Sequence, residues 1–292
     1  VNTEPRSLRR ELSLAQATAI NAIDMVGIGP FITLSGVVAA MHGSASMIAW
    51  LLGALLSIVD GAVWAEMGAK WPEAGGSYAF LQQLFDRKKG GRLMAFLFVW
   101  QTSLQAPLVV ASAAIGFAHY FTFLVPLEET GRRIVAGGLV AAMVLLLYRD
   151  IKSIGKLSIV LWIITGGTIL WLILSGIPRF NAAQAFDIAP KGFDSSTLLF
   201  AALGNASTSA IYSYLGYYNV CHLGAEIKNP ERNIPRAIFL SIAAIALLYL
   251  GMQTAVNGVL PADQIAKSPF VVSEYFETIY NHGVAQIATG LV

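Results

Sequence analysis

Charge is the scarcest property of this sequence. Only 12% of its 292 residues are Asp, Glu, Lys or Arg, while 56% are hydrophobic; an ordinary soluble domain is roughly 25% charged. A chain with so little charge cannot cover a water-facing surface, and it is too apolar for a disordered tail. The net charge of +2 leaves no basic surplus for a nucleic-acid footprint. One cysteine, Cys221, excludes an internal disulfide framework, and His42, His119, His222 and His282 are too scattered for any zinc spacing. No metal site and no cofactor are expected. What remains is an all-α, polytopic membrane protein. The first apolar segment is too long for a cleavable signal peptide and lacks a small-residue cleavage pattern. Val1 stands where a Met would be, and 283–292 is an apolar run that stops in mid-course, so the expectation is a piece of a longer protein.

Crossing ~30 Å of hydrocarbon takes ~20 mostly apolar residues at ~1.5 Å each. Seven segments meet or approach this, at 14–41, 47–70, 93–123, 134–148, 157–177, 198–226 and 237–260, and an eighth begins near Gly283. The fourth is short, but Arg132, Arg133 and Arg149 flank it and their stems can snorkel outward. Basic residues divide unevenly between alternate loops. Arg6, Arg9, Arg10, Lys70, Arg87, Lys88, Lys89, Arg92, Arg149, Lys152, Lys156, Lys228, Arg232 and Arg236 fall on the side of the N-terminus. Only Arg132, Arg133, Arg179, Lys191 and Lys267 fall on the other. The positive-inside rule therefore predicts a cytoplasmic segment at 1–13. That orientation is the reverse of a seven-helix receptor, and 237–260 has no lysine for a retinal protein.

Within the first span, Gly27-Ile28-Gly29-Pro30-Phe31 places two glycines beside a proline that removes an amide donor, which predicts a broken helix. Irregular backbone at membrane depth is tolerated where it lines an enclosed cavity. Pro30 suits the start of an outer half-helix, whose free amides would attract a carboxylate. The sixth span carries a second interruption, Tyr212-Ser213-Tyr214-Leu215-Gly216-Tyr217-Tyr218, below the polar residues Asn205, Ser207, Thr208 and Ser209. Broken helices in corresponding positions are the signature of an inverted repeat of five plus five helices.

At these residues the sequence resembles the amino acid, polyamine and organocation (APC) transporter superfamily. Gly27 to Phe31 is similar to its Gly-Ser-Gly-Ile-Phe motif. Ala65-Glu66-Met67-Gly68, Pro72 and Gly75-Gly76-Ser77-Tyr78 resemble its second helix end and following turn, and the ungapped run from Glu226 to Ala237 resembles its loop after helix six. Among its members the chain looks like an amino acid permease of the L-type amino acid transporter branch. The resemblance implies a leucine-transporter-type fold truncated near the start of its eighth transmembrane helix, with 14–177 as the first repeat and 178–292 as the start of the second. It implies a plasma-membrane secondary active transporter of amino acids, a permease or exchanger, and not an enzyme. A non-transporting sensor on the same fold is the competing reading. By position, amides around Gly27, Ile28, Gly29 and Phe31 would hold the substrate carboxylate. Carbonyls of Met25, Tyr212, Ser213 and Leu215, beside Gly216, would take the amine. Tyr212 would be the aromatic gate, and Tyr217 stands where many members have Trp.

Departures from the family pattern limit the transfer: Ile28 replaces a serine, Pro30 an isoleucine, and the fifth span offers Trp162, Thr165 and Gly166 in place of a coupling lysine. Asp24 is then the coupling candidate, with protons as the coupling ion. The loop at 121–133 has no cysteine for a disulfide-linked heavy chain. Asp24 and Asp60 lack the Tyr-Asp and Gly-x-Gly-Asp neighbours of intramembrane aspartyl proteases. Pro72, Gly75 and Gly76 predict a tight turn, and 261–282, with Ile265, Phe270, Val271, Tyr275 and Phe276 among charged residues, predicts an external lid helix.

Overall fold

The computed structural model describes residues 10–85, 90–148 and 151–291, without the side chains of 147 and 151–159. Arg6, Arg9, Arg87, Lys88, Lys89 and Arg149, which carry part of the orientation argument, lie outside the described residues, as do the side chains of Lys152 and Lys156. The elements are α1 (Leu14–Met25), α2 (Gly29–Met41), α3 (Ser46–Lys70), α4 (Ser77–Leu84), α5 (Arg92–Leu124), α6 (Glu129–Leu147) and α7 (Ile151–Gly176). They continue with α8 (Ala182–Ala185), α9 (Ser196–Tyr214), α10 (Pro230–Val259), α11 (Ala262–Lys267), α12 (Val271–Ile279) and α13 (His282–Leu291). Extended pairing among the described residues is confined to two isolated bridges, Leu12 with Ile227 and Ala74 with Leu223.

Among the described residues four helices are long and apolar enough to cross a membrane, in α3, α5, α7 and α10, and α1 with α2 gives a fifth if that bent pair counts as one span. The chain is a multi-pass membrane protein. The fourth and sixth expected spans are helices of 19 residues each that fall outside this test. Glu129, Arg132 and Arg133 crowd the start of α6, and Asn205, Ser207, Thr208, Ser209 and Ser213 dilute the hydropathy of α9. Lipid-facing surface is written at every fourth position. Leu51, Leu55, Val59 and Val63 on α3, and Phe96, Trp100, Leu104 and Leu108 on α5, are each more than half exposed. In water such stripes would drive association; in hydrocarbon they are at home.

The chain forms two compact units. The first holds Val1–Met25, Leu56–Pro107 and Leu215–Ala244. Here α3 turns glycines toward α10: a Cβ at Gly61 would lie 2.9 Å from Ile242, and one at Gly68 would lie 2.7 Å from Ile234, so a side chain at either position would have to displace its isoleucine neighbour. The expected tight turn is present, with φ of +113° at Gly75 and +47° at Gly76, and the imidazole of His222 fills the space above Gly76.

The second unit holds Val26–Leu55, Leu108–Tyr214 and Ile245–Val292. Its centre is an aromatic cluster of Trp50, Tyr214 and Tyr249, all fully buried. Polar tips there are matched in series. Trp50 Nε1 donates to Gln253 Oε1 at 2.8 Å, and Gln253 Nε2 to Asn257 Oδ1 at 2.7 Å. The expected lid is two short helices, α11 and α12, rather than one. Between them Phe270 packs against His119, Tyr120 and Phe123 of α5, and Tyr275 donates to the Leu172 carbonyl at 2.8 Å.

Replacing Trp50 by Phe keeps most of the packed volume but leaves the buried Gln253 oxygen without its donor, a loss of about 1–3 kcal/mol. Trp50→Ala adds a cavity and costs about 3–5 kcal/mol. Thermal unfolding of the detergent-solubilised protein should rank wild type above Trp50→Phe above Trp50→Ala; equal midpoints would remove this cluster from the stability-determining core.

Candidate functional site

Both predicted breaks are present. The backbone leaves helical geometry after Met25 and resumes at Gly29, with Pro30 in the first turn of α2. The second helix ends at Tyr214, twelve residues before the expected boundary at 226, and turns and 3-10 segments at Asn219–His222 and Gly224–Glu226 follow. The local cause is Gly216, whose φ of +122° no continuing helix can accommodate.

In the second unit, the start of α2 faces the end of α9. Phe31 and Ile32 both donate to the Ile28 carbonyl, at 3.1 and 3.2 Å. The Phe31 amide is therefore occupied, and Pro30 has none. Among the described residues the amides of Ile28 and Gly29 have no backbone acceptor, as the first turn of a helix requires. A Cβ at Gly29 would lie 3.7 Å from Ser213 Oγ and 3.7 Å from the Tyr212 ring, which is ordinary contact. Alanine would fit there; the further methyls of valine would press on both. Tyr212 is 41% exposed, whereas Ser213 is buried and its hydroxyl meets Thr33 Oγ1 at 3.1 Å. Tyr120 of α5 donates to the Phe31 carbonyl at 3.0 Å and fixes this turn from a third helix. Gly27 is open, with nothing within 4 Å of a Cβ.

In the first unit, the end of α1 faces the segment that follows α9. A Cβ on Gly216 would lie 2.7 Å from the Asp24 carbonyl oxygen and 3.1 Å from the Met25 nitrogen, so backbone meets backbone. Asn21, fully buried, joins the two. Its amide donates to the Tyr217 carbonyl at 2.7 Å and to Ser241 Oγ at 2.8 Å, and its oxygen accepts from the Val220 amide at 3.1 Å. The Asp24 side chain bonds to that of Asn219. Met25 is buried and Leu215 half-buried. Tyr217 is buried and donates to Asp60 Oδ2 at 2.7 Å, an oxygen that also accepts from Trp64 Nε1 at 2.8 Å. Asp60 is thus hydrogen-bonded within its unit.

Sequence reasoning singled out ten substrate residues and Asp24. Gly29, Tyr212 and Ser213 come together in the second unit, with Gly27, Ile28 and Phe31 in the same turn. Met25, Gly216 and Asp24 come together in the first, with Leu215 and Tyr217 in the adjoining segment. Asn21, Thr33 and Tyr120 were missed. An amide one helical turn before Asp24, in an otherwise apolar span, was a signal for Asn21; nothing local marked Tyr120.

The family model described as amino acid permease matches residues 12–292. The large neutral amino acids transporter small subunit 2 of Homo sapiens is 27% identical over 283 residues, covering 91% of this chain and 51% of that protein. The serine/threonine exchanger SteT of Bacillus subtilis is 26% identical over 279 residues, covering 91% and 58%. The methylthioribose transporter of the same organism is 25% identical over 275 residues, covering 89% and 57%. The chain spans about half the length of these curated relatives. With nearly every residue inside the match, and both helix breaks where the resemblance places them, the chain belongs to the amino acid permease family, whose members are transporters rather than enzymes.

Proposed function

We propose that this chain forms the first repeat, at 14–177, and the beginning of the second, at 178–292, of a secondary active amino-acid transporter with a five-plus-five inverted repeat of the leucine-transporter type. It sits in the plasma membrane with segment 1–13 in the cytoplasm and works by alternating access. The observation that carries the reading is the pair of interrupted helices, one resuming at Gly29 where two amides have no backbone acceptor among the described residues, the other ending at Tyr214 before a left-handed glycine. Amides of Ile28 and Gly29 receive the substrate carboxylate, with Gly27 and Phe31 shaping the turn. Carbonyls of Met25, Tyr212, Ser213 and Leu215 receive the amine, Tyr212 closes over it, and Gly216 and Tyr217 hold the second break. The relatives are named for different substrates, methylthioribose among them, so the amino acid class rests on the main-chain site. Uptake of a panel of labelled amino acids into liposomes that hold the full-length protein, of which this chain is a part, tests the reading. Saturable uptake by at least one is expected; saturable binding without flux would assign a sensor instead.

Gly29→Ala should keep folding and most substrate binding, whereas Gly29→Val should fold and lose binding by about tenfold or more, equivalent to ~1.4 kcal/mol. Gly216→Ala, forced against the Asp24 carbonyl, should instead lower the yield of folded protein. Binding followed by scintillation proximity, beside size-exclusion profiles, separates these outcomes. Wild-type binding in Gly29→Val would move the carboxylate elsewhere.

The ring of Tyr212 is argued to act by covering the substrate, so Tyr212→Phe should retain most uptake and Tyr212→Ala should lose it. Equal loss in both would assign the role to the hydroxyl.

Asp24→Asn keeps shape and removes the titrating group. Accumulation driven by a pH gradient should disappear while exchange of internal for external substrate survives. Unchanged accumulation in this variant would make Asp24 structural.

A further inference from the structure

Within the first unit, and apart from the broken stretches, a cavity of about 470 Å3 is lined by Tyr78 and Gln82 of α4 and by Arg92, Phe96 and Val99 of α5. Its wall has two chemical characters. Phe96 and Val99 are 59% and 47% exposed, and Phe96 belongs to the lipid-facing stripe of α5, so acyl chains reach this side directly. Arg92 stands one turn before Phe96, on the same side of the helix. It is exposed and makes no ion pair among the described residues, unlike Arg132 and Arg133, which Glu129 holds. The sequence just before it, Arg87-Lys88-Lys89, is basic, and Asp86 is the only acid between 86 and 92.

A guanidinium keeps its charge at any physiological pH, and beside hydrocarbon it is stable only if water or an anion meets it. Its planar fork matches two phosphate oxygens, while Tyr78 adds a hydroxyl and Gln82 an amide to the same wall. Basic segments at a membrane end attract acidic lipids over zwitterionic ones. We propose that this cavity binds an anionic phospholipid, its phosphate on Arg92 and its acyl chains along Phe96 and Val99.

The test uses purified, delipidated protein titrated with dioleoylphosphatidylglycerol or dioleoylphosphatidylcholine, with bound lipid counted by native mass spectrometry. Phosphatidylglycerol should bind about tenfold more tightly, the scale of one charge-assisted contact. Arg92→Gln should abolish the preference, and Arg92→Lys, which keeps the charge without the fork, should retain part of it. Phe96→Ala should weaken both lipids alike, and Arg133→Gln should leave both unchanged. A preference that survives Arg92→Gln, or falls equally in Arg133→Gln, overturns the assignment. Glycerol 3-phosphate binding to the delipidated protein as tightly as the lipid would also overturn it, making the site one for a soluble phosphate.

Discussion

Inside hydrocarbon, every backbone amide and carbonyl must find its partner within the protein, because each one left bare costs several kcal/mol. Breaking a helix there is therefore a hydrogen-bonding problem before it is anything else. In the first unit the problem is met by a single side chain. Asn21 offers both ends of its amide to the irregular backbone after α9, serving the Tyr217 carbonyl and the Val220 amide, and still reaches Ser241 on α10. Gly216 makes this possible by letting the second break lie directly on the Asp24 carbonyl. With any larger residue the backbones would separate and Asn21 would lose its reach.

The second unit treats its break differently. Pro30 and the bond from Phe31 to Ile28 start α2 at once, while Tyr120 secures the Phe31 carbonyl from α5. Thr33, Ser213 and Gly29 pack α2 closely on α9. Two amides, at Ile28 and Gly29, have no backbone acceptor among the described residues. One break is thus satisfied by protein, and the other leaves these two amides at the positive end of a helix, where we propose the carboxylate site.

Several polar residues elsewhere in the spans are paired in the same way, although Thr18, Ser57, Trp162 and Ser207 each bury a polar atom without a partner among the described residues. Asp60 accepts from both Tyr217 and Trp64. Trp50, Gln253 and Asn257 form a chain in which each donor has an acceptor. The bond from Trp50 ties α3 to α10, and that from Tyr217 ties the stretch after α9 to α3, where apolar surfaces alone would not choose between neighbour and lipid.

Much of this was legible in the sequence, because the features concerned are local. Composition fixed the solvent, apolar runs fixed most spans, and Gly27 to Pro30 fixed the first break, since a glycine pair and a missing amide act on the backbone where they stand. The turn at Gly75 and Gly76 was read for the same reason. The second interruption was read at 212–218, but the span was carried on to 226, because apolar residues continue past Tyr214 and only the left-handed backbone at Gly216 stops the helix. Nor could the sequence assign Asn21, whose partners lie 196 to 220 residues away. Tyr120, 89 residues from its acceptor, was equally silent. Tyr217 reads as a candidate site aromatic, and no local pattern marks the bond of its hydroxyl to Asp60, 157 residues distant. Sequence determined most of the apolar spans and the neighbourhood of each break; only tertiary structure decided where α9 ends and which side chains satisfy the broken backbone, because those bonds join residues that no local pattern relates.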